Sequence, residues 1–320
     1  CAQGRMSTYF LKRLLMIVPT LLLVTVTVFV VMRLVPGDPV AMMLGDIDNP
    51  ELVRQMREEL RLDEPIPVQY VDWFRRVITL DFGEAIVTGE PVFDTMLSRL
   101  GVTAQVVFIS VALAAVLAIV FGTLAAWRQN RASDLAITML AVGSMSVPAF
   151  WVGIALIIVF GIKLQWLPTV GYVSPLDDLS ESLQFMVLPV TALVVAETGA
   201  LLRMVRSTTL DVLRMDYITA ARARGLGERT VLFRHALPNT LIPTVTLVGF
   251  ALGSLLGGAA VIETVFTLPG LGRLLVESVY ARDYVMVQGV MIFVATIYVI
   301  VNLLVDMLYP LLDPRVRLRA

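Results

Sequence analysis

The sequence predicts an all-α membrane protein with six transmembrane helices, and three observations carry the prediction. Apolar residues make up 58% of the 320 positions and charged residues 16%, against roughly 45–50% and about 25% in soluble globular chains. Mean hydropathy is +0.82, more apolar surface than a soluble fold of this length can cover, so part of the solvent must be lipid. Six separate segments are apolar over about 20 residues, the length of helix that crosses a hydrocarbon core of about 30 Å. Helix is preferred to strand because a helix satisfies its own backbone polar groups where no water is present.

The segments are 14–32, 102–126, 135–162, 185–202, 241–262 and 286–308. The first has no small-residue cleavage site and is too long for a cleaved leader, so it stays in the membrane. Cys1–Arg5 precede Met6-Ser7-Thr8-Tyr9, which reads like a natural start, and they are expected to be a remnant. Pro19, Pro148, Pro189 and Pro243 lie in or at the spans, where neighbouring helices can tolerate them. Trp127, Trp166 and Tyr309 sit at segment ends, as amphipathic rings favour the interface. Trp151 lies deeper and serves packing or a pathway.

Lys and Arg set the direction. With the N-terminus inside, the inner pieces 1–13, 127–134, 203–240 and 309–320 carry 3, 2, 7 and 3 basic residues, while the short outer loops 163–184 and 263–285 carry 1 and 2. Both termini are therefore expected in the cytoplasm, with 1–13 and 309–320 as short tails. Residues 33–101 form an extracytoplasmic helical segment with 7 basic and 13 acidic residues. It is expected to carry helices at 51–62 and 68–80, the second amphipathic with Tyr70, Trp73, Phe74 and Val77 on one side. It could cap the bundle or receive a soluble partner. Residues 102–308 are the core domain.

The inner loop 203–240 stands out. Asp216 is expected to cap a short helix reaching Arg224. Gly225-Leu226-Gly227 makes a turn, and 228–236 forms a second short helix before Pro238 opens the next span. Small residues on the first helix (Ala220, Ala221, Ala223) allow close approach, and Tyr217, Ile218, Val231 and Phe233 are expected to be exposed. Apolar groups on such a loop want a partner; the alternative is that the loop folds back on the membrane surface.

Chemistry is scarce. The two lysines, Lys12 and Lys163, follow no glycine, so no P-loop exists and the chain is not expected to hydrolyse ATP. One Cys and one His exclude a disulfide scaffold, Cys-based zinc and most acid–base catalysis. His235 is expected to pack or cap. A net charge of −1 argues against nucleic acid. Neither a catalytic nor a metal site is expected. Polar groups in or beside the spans are pathway candidates: Glu197, Trp151, Gln288 and Asn302, with Gln105 beside them. Glu197 could equally form a buried pair. Glu263 and Asp306 lie near membrane faces, where solvation or snorkelling accounts for them. Gly253, Gly257 and Gly258 permit a close helix crossing. An ion-coupled carrier would show inverted repeats and paired mid-membrane carboxylates, and neither is clear.

Thr219-Ala220-Ala221-x3-Gly225-x9-His235-x-Leu237-Pro238 resembles the EAA loop of ATP-binding-cassette importer permeases, with Thr219 in place of the usual Glu and His235 in place of Ile. The chain is similar, more narrowly, to the dipeptide/oligopeptide permeases. The similarity runs through Tyr9-x-x-Lys12-Arg13-Leu14-Leu15, Leu34-Val35-Pro36-Gly37-Asp38-Pro39, Ser146-Val147-Pro148-Ala149-Phe150-Trp151 and Trp166-Leu167-Pro168-Thr169-Val170-Gly171-Tyr172. It continues in Asp216-Tyr217-Ile218, Glu263-Thr264-Val265-Phe266-x-x-Pro269-Gly270-Leu271-Gly272 and Leu312-Asp313-Pro314-Arg315. The resemblance implies a type I importer permease (MetI-like) bundle in a bacterial cytoplasmic (inner) membrane. It implies as partners a second, homologous permease, two ATPase subunits that hold ATP and Mg, an extracytoplasmic solute-binding protein and a di- or oligopeptide substrate, with no cofactor on this chain. The coupling loop would use Asp216, Tyr217, Ala220, Ala221, Arg224, Gly225, Leu226, Leu237 and Pro238. Nickel chelates, glutathione or short oligosaccharides are alternative cargoes.

Overall fold

The computed structural model describes residues 2–34, 51, 54, 57 and 63–312, which are helices and loops with one isolated β-bridge, Glu84 to Pro91. The helices are α1 (Ala2–Leu34), α2 (Ile66–Ile78), α3 (Val92–Trp127), α4 (Ala132–Met145), α5 (Ala149–Leu156, continued as π-helix Ile157–Lys163), α6 (Leu179–Leu213), α7 (Asp216–Ala223), α8 (Glu228–Thr230, continued as π-helix Val231–Ala236), α9 (Leu237–Val265), α10 (Leu271–Tyr280) and α11 (Tyr284–Leu312). Of the expected 51–62 helix only Glu51, Arg54 and Arg57 are described, all helical, and the motif residues 35–39 and 313–315 lie outside the described residues.

Five helices are long and apolar enough to cross a membrane, and α4 with α5 makes a sixth span if that bent pair is one crossing. The expected span over 135–162 is not one straight helix, because its two halves meet at 96°. Helix α4 ends with Ser146 N–H bonded to Gly143 O, and Pro148 is the N-cap of α5 at φ −59° and ψ 141°. A proline lacks the N–H that would continue the ladder and pushes the residue before it out of helical conformation. Pro189 and Pro243, by contrast, sit inside continuous helices.

The core lies where α3, α6 and α9 meet, around Val106, Val107, Ala114, Ala118, Leu193, Val205, Ala259 and Ile262. Close approach needs small residues: a side chain at Gly122 would meet Leu202 O and Val205, and one at Gly199 would strike Ala141 O, Ser144 and Met145 beside the bend. Of the expected glycine crossing, Gly253 packs on Tyr298 of α11, whereas Gly257 and Gly258 face open space. Gly249, against Val305, supplies the second close point.

The segment before α3 is fastened at two places. Tyr70 and Trp73 of α2 pack on Phe29 of α1, and Tyr70 OH lies 2.9 Å from Thr25 Oγ1. At the other end Asp283, 3% exposed, accepts from Val87 N and from Met286 N in the first turn of α11. These contacts hold α2 against α1 and the stretch around Val87 against the start of α11.

Candidate functional site

Within the expected 203–240 loop, α6 runs on to Leu213 and α9 begins at Leu237, and the stretch between them, 214–236, folds as a compact knob at the end of α6. Gly225 has φ +80°, the left-handed region that favours glycine. Gly225 N bonds to Arg222 O and Leu226 N to Ala221 O, the paired 5→2 and 6→1 bonds of a Schellman motif, which close off α7. Arg222 grips Glu228 through Nε at 2.8 Å and Nη2 at 3.2 Å, fixing α8 against α7 across the turn. Tyr217 OH reaches His235 O at 3.4 Å, and Asn239 Nδ2 donates to the same carbonyl at 2.8 Å. Met215, not Asp216, holds the N-cap position, and Asp216 contributes its charge to the first turn.

The knob has a core of its own. Val212, Ile218, Ala221, Val231, Leu232 and Ala236 are buried together, with Trp127 and Leu213 packed against them. Ile218 and Val231 are each 0% exposed, which corrects their placement on the surface. Burying such a branched side chain stabilises by about 1.5–3 kcal/mol. The outer face keeps Tyr217, Ala220, Arg224, Leu226, Phe233 and Pro238, of which Phe233 is 62% exposed. Leu237 is half-buried where the knob runs into α9.

Next to the knob lies a pair that sequence reasoning missed. Asp134 in the first turn of α4 receives Arg206 Nε on Oδ1 at 2.7 Å and Nη2 on Oδ2 at 2.8 Å. Asn130 N and Thr138 Oγ1 donate to the same carboxylate, which is 4% exposed as a residue. Hydropathy gave no signal, because both residues read as ordinary charges at the edge of a span.

The opposite face corrects a second expectation. Glu263 is not solvated near the membrane surface but 0% exposed. It accepts from Thr103 Oγ1 at 2.6 Å and from Arg273 N at 2.9 Å, while Thr103 Oγ1 accepts from Leu271 N at 2.8 Å. These groups cap the open N–H groups of α10. A side chain at Gly270 would overlap the Glu263 carboxyl and one at Gly272 would overlap Ala260, so the Pro269-Gly270-Leu271-Gly272 turn can only be built without Cβ atoms there. Gly171 N donates to Phe266 O, Tyr172 OH donates to Gln105, and Gly153 abuts the Phe266 ring. Gly171 of the 166–172 motif and the 263–272 motif thus pack together, with Gly153, two residues past the 146–151 motif, against the same Phe266.

The four pathway residues are not gathered. Glu197 is partly buried in the middle of α6, and Trp151 is 63% exposed just past the bend. Gln288 and Asn302 both lie on α11, fourteen residues and so about 21 Å apart along its axis. Asn302 donates to its own helix at Tyr298 O. Asp306 pairs with Arg13 of α1 at 2.6 Å, a specific partner in place of plain solvation. Among the described residues no cluster of His, Cys, Asp or Glu could hold a metal.

Residues 118–318 match the family described as binding-protein-dependent transport system inner membrane component, and residues 6–107 match its N-terminal membrane component. The chain is 38% identical over 315 residues to the oligopeptide transport system permease protein AppB of Bacillus subtilis, covering 97% of this chain and 99% of that one. It is 39% identical over 312 residues to the glutathione transport system permease protein GsiC of Salmonella choleraesuis, at 98% and 99% coverage. Similarity to the dipeptide transport system permease protein DppB of Alkalihalophilus pseudofirmus is 34% over 332 residues, at 98% and 100%.

Proposed function

Because the chain belongs to the binding-protein-dependent transport system inner membrane components, multi-pass permeases of the inner membrane, we propose that it is one of two permease subunits of an ATP-driven importer of di- or oligopeptides. The observation that carries the reading is the knob: a rigid unit with an exposed apolar face, on a chain without a P-loop of its own. Separate ATPase subunits grip that face on the cytoplasmic side, where the count of basic residues places both termini as well. Closure of the ATPases around ATP and Mg displaces the knob, and the bundle switches from inward to outward access. A solute-binding protein then delivers the peptide at the outer face, and hydrolysis returns the bundle inward.

The knob suits this role because its turn is locked by the Schellman bonds and the Arg222–Glu228 pair. A push on Phe233 or Leu226 therefore reaches α6 and α9 as a displacement and is not absorbed in the loop. Glu197, Trp151, Gln288 and Asn302 remain pathway residues of this reading, at different depths along the route. Glutathione, itself a tripeptide, is the second cargo to weigh, since a glutathione permease protein is as similar as the peptide permeases.

Reconstitution of the chain with its second permease, ATPases and binding protein in liposomes tests the proposal. Labelled dipeptides, oligopeptides and glutathione should enter only with ATP and with the binding protein outside. Uptake by this chain without any ATPase would refute it.

A further inference from the structure

We propose that Asp134 and Arg206 form a positioning strut that carries movement of the knob into the bent span α4–α5. This deepens the docking reading above and rests on it. Arg206 lies seven residues before the end of α6, about 10 Å along the axis from the knob. Asp134 is the third residue of α4. Helix α3 also touches the knob, because Trp127, its last residue, packs on the knob core.

The chemistry of the pair suits transmission better than simple charge placement. Other ion pairs among the described residues are more exposed, among them Arg222–Glu228 at 40% and 51%, Arg273–Glu277 at 27% and 52%, and Arg13–Asp306 at 43% and 34%. For Arg206–Asp134 the side chains are 25% and 6% exposed. Both carboxylate oxygens are taken twice, Oδ1 by Arg206 Nε and Thr138, Oδ2 by Arg206 Nη2 and Asn130 N. A two-point guanidinium contact fixes orientation as well as distance. Separation would strand a buried charge, so the two helices move together. Asn130, at φ +63°, holds the turn in the shape that aims its N–H at the carboxylate. Past Asp134, α4 runs straight to Met145 and the 96° break, where Gly199 of α6 lets Ala141, Ser144 and Met145 sit in contact. Helices α4 and α6 are thus joined at both ends of α4, and a displaced knob must drag the break with it.

Two measurements test the strut on the complete reconstituted transporter. In the first, peptide uptake per ATP hydrolysed is compared for wild type, Asp134→Asn and the charge-reversed pair D134R/R206D. The single substitution should lower the ratio about tenfold with ATPase subunits still bound, and the reversed pair should restore part of it, since the Asn130 and Thr138 donors then lose their acceptor. A purely structural role would reduce the amount of assembled complex and leave the ratio of the remainder unchanged. In the second, nitroxides replace the exposed Leu140 on α4, Arg229 on the knob and Leu304 on α11, with Asp134 and Arg206 intact. On ATP binding the 140–229 distance should stay fixed while both positions move relative to 304. A ratio in Asp134→Asn equal to wild type, or positions 140 and 229 moving apart, overturns the strut. If instead neither 140 nor 229 moves and Phe233→Ala still binds ATPase normally, the docking reading itself has failed.

Discussion

Replacing Phe233 with Ala should detach the ATPase subunits without unfolding the knob. A Phe side chain covers about 200 Å², and Phe233 leaves 62% of its surface open. Docking that hides the open part removes about 120 Å² from water, worth about 3 kcal/mol at ~25 cal/mol per Å². Each 1.4 kcal/mol is a factor of about ten, so the dissociation constant should rise about a hundredfold. The contrasting change is Ile218→Ala, at a position 0% exposed, which should cost about 2–5 kcal/mol of stability and loosen the knob from within. The assay is biolayer interferometry of the detergent-purified permease pair against purified ATPase, with thermal unfolding of the same samples alongside. Phe233→Ala should weaken binding at unchanged unfolding temperature, and Ile218→Ala should lower the unfolding temperature. Binding by Phe233→Ala within about twofold of wild type would show that Phe233 is not the anchor of the contact.

Three further substitutions follow from the geometry. Gly225→Val places a branched side chain at φ +80° in open space, straining the turn by about 1–2 kcal/mol; the protein should insert and assemble, yet uptake per ATP should fall, and less so in Gly225→Asn. Gly270→Ala pushes a methyl into the Glu263 carboxyl and should cost about 1–3 kcal/mol through overpacking in addition to the displaced hydrogen bonds. Its unfolding temperature in detergent should drop further than that of Glu263→Gln, which keeps the size and loses one acceptor. Asp283→Ala frees Val87 N and the first turn of α11, a cap worth about 1 kcal/mol, and should speed cleavage at Glu84 and Glu90 by a glutamate-specific protease.

The long-range order of the chain is written in its hydropathy, because each span must be apolar over its full length whatever it packs against. What hydropathy does not encode is where a span breaks. Four prolines fall in or at spans, and only Pro148 sits at a break, where Gly199 and Gly153 let α6 and Phe266 press on either side of it. The knob was legible by spacing, since Gly225 and Pro238 mark its turn and its exit. Its inward face was not, because α7 has 8 residues, too few turns to reveal which of Tyr217 and Ile218 is buried. Glu263 and Asp134 were misread or overlooked for a common reason. Their partners, Thr103 and Arg206, are distant in sequence, and a carboxylate at the edge of a span looks solvated until its partner is known. The motif residues Pro269-Gly270-Leu271-Gly272 acquire a physical meaning only with Glu263 in view.

An ATPase that grips the outer face of the knob from the cytoplasm must come within reach of a reactive group placed there. A photo-crosslinking amino acid at Leu226, illuminated in intact cells and followed by mass identification of the adduct, tests it most directly. The expected adduct is with an ATP-binding-cassette ATPase subunit. An adduct with an extracytoplasmic protein, or with lipid alone in the assembled complex, would contradict it.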